Sequence, residues 1–407
     1  MESKQVAQTR GASFIPPLEE FNTEEKRANP FPILKTLREN TPLRFDETYG
    51  TWDAFLYEDC VRILKDPKTF SSNFNRDNTN TENIITVDPP RHQDFRELVN
   101  GVFTPKAVAD VAPRIYEILN FLLDAVQEQG RMNTVYDVAA PLPVMVIAEL
   151  LGIPTTDRLY FKELSDTLVT GVTDSSEETY KRVQAQRLHA RDTLNDYFRQ
   201  HLQMRKEQPT EDLISVLWYA NAEKQVLDED QILRFLTTLL VAGHETTTNL
   251  ITAMVRVLSE QPQFQERLLE EPHLIPGFVE ETLRFYPSVP RLTRRATMDV
   301  ELRGQVIREG QLVNVWMASA NRDGAKFAHP DVFDPTRHPN AHITFGFGNH
   351  FCLGAPLARL EAQIALETIL RRLGNIALVE GTKIEPTPYP LFTAVKEYPV
   401  TFEGRSI

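Results

Sequence analysis

Cysteine is almost missing from this chain of 407 residues: Cys60 and Cys352 are the only two. That excludes a disulfide framework and a four-cysteine zinc module, so each thiol needs its own explanation. Long hydrophobic runs are missing too. The most apolar stretch, Leu236 to Gly243, is interrupted by Thr237 and Thr238, well short of the ~18 apolar residues that would cross a membrane. Positive charge is in deficit, with 44 Lys and Arg against 57 Asp and Glu, a formal charge of −13. Such a balance argues against nucleic acid as the main partner, because phosphate binding needs a net basic face. Met1 to Phe14 is polar and has no apolar core, so it reads as neither a secretory signal nor an anchor. These absences lead to the expectation of a cytoplasmic protein whose residues 1–14 form a flexible tail.

What remains is an ordinary globular composition, 41% hydrophobic and 25% charged. Two short strand-like runs flank Tyr49-Gly50 and read as a hairpin. Asp59 to Lys65 reads as a helix, and Asp66 to Pro90 as a long loop of the kind that often carries function. Helical periodicity then dominates from Arg91 to Ala222. The strongest helix runs from Asp228 to about Glu260: Asp228 and Gln231 suit a capping box, and Ile232, Phe235, Leu236, Leu239 and Leu240 follow at helical spacing. Such a helix would span roughly 50 Å. Two more helices are expected over Gln263–Glu271 and Leu274–Phe285, and short strands over Asp299–Leu302, Gln305–Ile307 and Leu312–Trp316. A last helix is expected from Cys352 to Leu373, stopped by Gly374 as its C′ residue, before strands at Ile376–Val379 and Val395–Phe402. With no repeat or linker, residues 15–407 read as one large, mainly α domain with small β-sheets.

Three segments carry candidate chemistry. The first, Phe345 to Gly354, contains Gly346-x-Gly348, but Phe351 stands where a dinucleotide-binding loop needs its third glycine. A zinc hydrolase using His338, His342, His350 and Cys352 is one competing reading. The stronger reading starts from Cys352 at a helix N-terminus, where free N–H groups and the dipole favour the thiolate. Gly346 and Gly348 allow a close backbone approach, and Gly354 and Ala358 keep the surface thin beside the thiol. A thiolate under a planar cofactor is the haem-thiolate arrangement. Cys60, beside Val61 and Leu64, reads as a buried structural thiol.

The second segment is Ala242-Gly243-His244-Glu245-Thr246-Thr247. It is not a zinc-protease H-E-x-x-H, because Thr248 occupies the second histidine's place. Gly and several Thr weaken a helix interior, and such local violations tend to mark function. The third is Glu281-Thr282-Leu283-Arg284, which taken alone is an i,i+3 surface pair.

Together these segments resemble the cytochrome P-450 monooxygenases. Phe345-x-x-Gly348-x-x-x-Cys352-x-Gly354 matches that family's haem-binding pattern, and the likeness runs from about Phe31 to Phe402. The resemblance implies the cytochrome P-450 fold, a long central helix over haem b, and Cys352 as axial iron ligand. It implies that Thr246 and Glu245 serve oxygen activation, with Glu245 feeding protons through water. His92, Arg96, Arg294 and His350 would hold the haem propionates, and Phe345, Gly348 and Ala242 would contact the cofactor. Glu281, Arg284 and Arg337 would form a structural triad. Ile84, Ile85, Thr238, Val241, Val289, Leu292 and Phe392 would line an apolar substrate pocket, Ala242 with them.

The implied reaction is hydroxylation of a terpenoid, steroid, fatty acid or macrolide-like molecule. No flavin or iron–sulfur segment is recognisable, so electrons are expected from NAD(P)H through a separate ferredoxin or flavodoxin and its reductase. Arg91, Lys106, Arg359, Arg371 and Arg372 are candidates for the docking face. A non-catalytic haem-thiolate sensor or recruitment protein is the alternative, against which the Glu245-Thr246 pair argues.

Overall fold

The computed structural model describes residues 18–74, 82–100, 103–169, 177–387 and 393–405. The expected tail over residues 1–14 lies outside them. The principal helices are, in chain order, α1 (Tyr57–Lys65), α2 (Arg91–Val99), α3 (Ala112–Asp124), α4 (Pro141–Leu150), α5 (Arg158–Val169), α6 (Glu177–Glu207), α7 (Glu229–Glu260), α8 (Gln263–Glu270), α9 (Ile275–Phe285) and α10 (Ala355–Arg372). The strands are β1 (Leu43–Asp46), β2 (Thr51–Ala54), β3 (Phe70–Ser71), β4 (Arg131–Asn133), β5 (Leu292–Ala296), β6 (Val300–Leu302), β7 (Gln305–Ile307), β8 (Leu312–Val315), β9 (Leu373–Leu378) and β10 (Pro399–Gly404). Two compact units alternate along the chain. One takes Met1–Gln93, Glu280–Cys352 and Pro390–Thr393, and the other Asp94–Val279, Leu353–Tyr389 and Ala394–Ile407.

The first unit is built on a five-stranded sheet of order β1-β2-β8-β5-β3. The β1–β2 hairpin turns at Gly50, whose φ of +66° suits a residue without a side chain. Strand β8 joins parallel to β2, with Trp52 opposite Val313. The sheet buries Trp52, Phe70, Val313 and Val315 against Ile63 and Leu64 of α1, each such side chain contributing about 1.5–3 kcal/mol on leaving water. Strand β5 was not expected. Its sequence Leu-Thr-Arg-Arg-Ala hides the two-residue alternation, because the inward position belongs to Arg294.

The second unit is organised by α7. Asp228 Oδ1 accepts from Gln231 N at 2.7 Å, and Gln231 Oε1 accepts from Asp228 N at 2.9 Å, so the expected capping box is present. Leu236, Leu240, Leu250, Ile251 and Met254 are buried on α7, which packs on α4, α5, α6, α10 and β9. An antiparallel sheet of order β4-β10-β9 completes the unit.

Two expected boundaries are corrected. Helix α10 begins at Ala355, not Cys352, with Pro356 in its first turn. Proline has no N–H to give and its ring clashes with the preceding turn, so an earlier start is blocked. Gly374 is not a left-handed C′ residue. Leu373 turns extended and opens β9, while the Arg372 carbonyl accepts from Arg405 N at 2.7 Å. Among the described residues, no helix is long and apolar enough to cross a membrane.

Candidate active site

The loop ahead of Cys352 is folded by its own backbone. Gly346 N donates to Ile343 O at 2.9 Å, Phe351 N to Gly348 O at 3.1 Å, and Cys352 N to Phe345 O at 2.9 Å. Gly348 has φ +72°, and a Cβ there would stand 2.9 Å from the Leu64 carbonyl oxygen at the end of α1. The glycine is therefore required by the protein's own backbone, a nearer cause than the flat group expected from sequence. Cys352 lies two residues before Gly354, the N-cap of α10. Its position is thus set by the loop hydrogen bond, not by a helical turn. The thiol is half-buried, whereas Cys60 is fully buried and its thiol is pushed well above the usual range by burial.

Three propionate candidates fall in the first unit. The His92 and His350 rings lie 4.1 Å apart between centroids, with His92 buried. Arg294 is only 6% exposed on β5. Its Nη1 donates to the Thr293 carbonyl at 2.9 Å, and among the described residues no carboxylate forms an ion pair with it. Burial lowers its pKa to about 10, with Asp88 the charge that opposes the fall. A buried cation without a paired anion is costly, so a carboxylate ligand fits this guanidinium. Arg96 is half-buried on α2, one turn after His92.

In the second unit, the middle of α7 is locally open. Ala242 is exposed, and a Cβ at Gly243 would find only Ile147 Cδ1, at 4.0 Å. Space beside Gly354 is likewise free of neighbours within 4 Å. Within the first unit, a half-buried thiol at Cys352 and a buried Arg294 that has no ion pair among the described residues suit a haem's thiolate ligand and a propionate partner, so these residues fit that group. Thr246 Oγ1 donates back to the Ala242 carbonyl at 2.8 Å, and Thr248 and Thr252 repeat this four-residue bond at 3.0 and 2.8 Å. Burial, with a smaller contribution from the Asp166 carboxylate, pushes the Glu245 carboxyl up to about 7, against the opposing effect of Lys162. His244 is buried, bonded through Nδ1 to Ser165 Oγ at 2.9 Å, and pushed down to about 4 by desolvation. Ser165 and Asp166 of α5 escaped the sequence reading. Their only local mark is the Lys162–Asp166 pair at i,i+4, which is common on helices.

Glu281 and Arg284 of α9 are completely buried. Arg284 Nε and Nη2 donate to Glu281 at 2.8 and 2.7 Å, and Arg337 Nε donates at 3.1 Å. Asn340 Nδ2 and Asp334 N fill the remaining acceptor positions at 3.1 and 2.9 Å. The pair is therefore not the surface bridge its spacing alone predicts.

The zinc reading of the histidine-rich loop is not supported. His342 Nε2 faces Glu280 at 3.1 Å, and His350 stacks on His92. Among the described residues, the single group of three potential metal ligands is Asp166, His244 and Glu245. Of the pocket candidates, Ile84 is buried but Ile85 is 50% exposed. Val289 and Leu292 pack against the first unit's core. The Thr238 hydroxyl donates to Arg234 O at 2.8 Å, and Val241 is half-buried. Phe392 lies outside the described residues. Among the docking candidates Arg372 is corrected. It is buried and donates to Asp124 at 2.6 Å and to Asn120 at 3.1 Å, so it serves the interior.

Comparison with known proteins gives one answer. The family model described as Cytochrome P450 matches residues 172–402. "Cytochrome P450 109" of Bacillus spizizenii is 43% identical over 392 residues, covering 96% of each chain. Erythromycin C-12 hydroxylase of Saccharopolyspora erythraea is 39% identical, over 85% of this chain and 87% of its own. Among solved structures, CYP109E1 from Bacillus megaterium in complex with testosterone superposes with a TM-score of 0.87 at 38% identity, covering 93% of this chain and 99% of that one.

Proposed function

We propose, from the premise that this chain belongs to the cytochrome P450 family of haem b monooxygenases, that it hydroxylates an apolar molecule of steroid or macrolide size. The observation that carries this reading is the acid–alcohol pair on α7: a Glu245 carboxyl held near 7 beside the Thr246 hydroxyl, where the helix is open. Two relatives support the substrate class, one named for a macrolide and one solved with a steroid.

Haem bound here supplies dioxygen activation, with Cys352 as its thiolate ligand and Arg294, His350, His92 and Arg96 as partners of its propionates. The protein's part is to orient and to move protons. A carboxyl with a pKa near neutrality is populated in both forms at working pH, so Glu245 can take a proton from solvent and pass it on. Thr246 can do the same from its hydroxyl by rotating away from the Ala242 carbonyl. The small residues Ala242 and Gly243 leave room for the substrate, and the mainly apolar side chains assigned to the pocket favour an apolar body. Electrons are assigned to a separate ferredoxin or flavodoxin with its NAD(P)H reductase, docking through Arg91, Lys106, Arg359 and Arg371.

The test is a screen of steroids and macrolides for a low-to-high spin shift, followed by turnover with a reductase and ferredoxin. The expected result is NAD(P)H consumption coupled to a hydroxylated product. Binding with a spin shift but no product from any compound would favour the sensor alternative.

A further inference from the structure

A polar cluster in the second unit has no part in the reading above beyond Glu245 itself. His244 is 1% exposed on α7, yet its Nε2 has no hydrogen-bond partner. That atom points toward Asp166 of α5, with Oδ1 at 3.7 Å. The other ring nitrogen is held by Ser165 Oγ, itself fully buried, at 2.9 Å. One ligand atom each from Asp166, His244 and Glu245 lies within 4.8 Å of the others. Lys162 Nζ pairs with the second Asp166 oxygen, Oδ2, at 2.6 Å, and Oδ1 is the oxygen nearer the histidine ring nitrogen.

We propose that Asp166, His244 and Glu245 form a binding site for a borderline divalent cation of the zinc type. One imidazole and two carboxylates are a common donor set for that ion, with a fourth place for water. In the tautomer that donates from Nδ1 to Ser165 Oγ, the ring presents a bare Nε2 lone pair, and the Ser165 contact is the outer hydrogen bond that metal-binding histidines usually have. Tetrahedral bonds of ~2.0–2.2 Å set ligand atoms roughly 3.4 Å apart, so spacings within 4.8 Å would close by at most about 1.4 Å on binding. Asp166, 43% exposed, gives the ion an entry path. Magnesium is excluded by its preference for oxygen and water. A zinc ion held here uses the Glu245 carboxylate as a ligand and so removes it as a proton carrier. That last consequence rests on the role assigned to Glu245.

The experiment is calorimetric titration of the holoenzyme with zinc chloride, with magnesium chloride as control, on the parent, His244→Gln and Asp166→Asn. Each variant is first checked for an unchanged carbon monoxide spectrum. The site predicts one zinc per chain, no magnesium binding, and affinity weakened at least about tenfold in both variants. No zinc binding by the parent, or equal binding in parent and variants, overturns it. Oxygen-driven turnover measured in parallel should fall with the zinc occupancy. Full turnover with zinc bound at this site would leave the site standing and overturn the role of Glu245 instead.

Discussion

Two helices carry a glutamate that the sequence marks as important, and the fold treats the two in opposite ways. Glu281 on α9 accepts from two arginines, an asparagine and a backbone N–H, and is completely buried. Glu245 on α7 accepts no hydrogen bond among the described residues, and burial holds its carboxyl near 7. A buried charge with every acceptor position filled is a rigid strut, costly to disturb. A carboxyl left without donors is poised between its two forms, which is what proton transfer needs. The difference between a structural and a chemical carboxylate thus lies in their donors, not in the residue.

The sharpest way to break this contrast is at the strut. Arg284→Ala should cost about 3–5 kcal/mol, because it strands Glu281 as a buried, under-compensated charge. Arg284→Lys should recover only part of this, since an ammonium cannot reproduce the two parallel donors. Urea unfolding checks both, and a loss below about 1 kcal/mol for the alanine variant would remove the strut from the account.

Glu245→Gln should do the reverse. Oxygen-dependent product formation should fall about 10²-fold, the usual scale of a lost proton carrier, while Tm at pH 8 stays level or rises. The sign follows from the raised pKa. Between the ordinary value of 4.5 and about 7 the folded state holds a proton that the unfolded state has released. This contribution to stability is complete below 4.5 and is lost as pH rises through about 7. Thermal melts across that window should show a shallower decline in the variant than in the parent, the remainder coming from groups such as the buried Glu361, whose carboxyl burial pushes up to about 8.

Smaller effects sharpen the picture around the thiol loop. Gly348→Ala should cost on the order of 1–3 kcal/mol, since it combines a left-handed φ with a clash against the Leu64 carbonyl. Smallest is the docking face. Charge reversal at Arg371, which is 68% exposed beside Glu367, should weaken ferredoxin-driven turnover a few-fold and leave peroxide-driven turnover unchanged. Arg372→Ala should instead lower Tm, because its bonds are internal.

Much of the site was legible in the sequence because its spacing is local. The capping box at Asp228, the weak Gly243–Thr248 stretch inside a strong helix, and the i,i+3 pair of Glu281 and Arg284 are each defined within a few residues. The boundaries that failed depended on distant contacts or on competing local rules. Pro356 rather than the thiol sets the start of α10, and Arg405 rather than Gly374 caps its end. Strand β5 hid because its inward residue is an arginine, which periodicity counts as outward. Ser165 and Asp166 could not be found at all, since nothing near them in sequence points to His244, some 80 residues later.

The central claim is that Cys352 is the thiolate ligand of a haem, and the absorption spectrum of the reduced, carbon monoxide-bound protein tests it most directly. The account predicts a strongly red-shifted Soret band that survives Cys60→Ala and disappears in Cys352→Ala. A Soret band without that shift, or one that persists in Cys352→Ala, would contradict it.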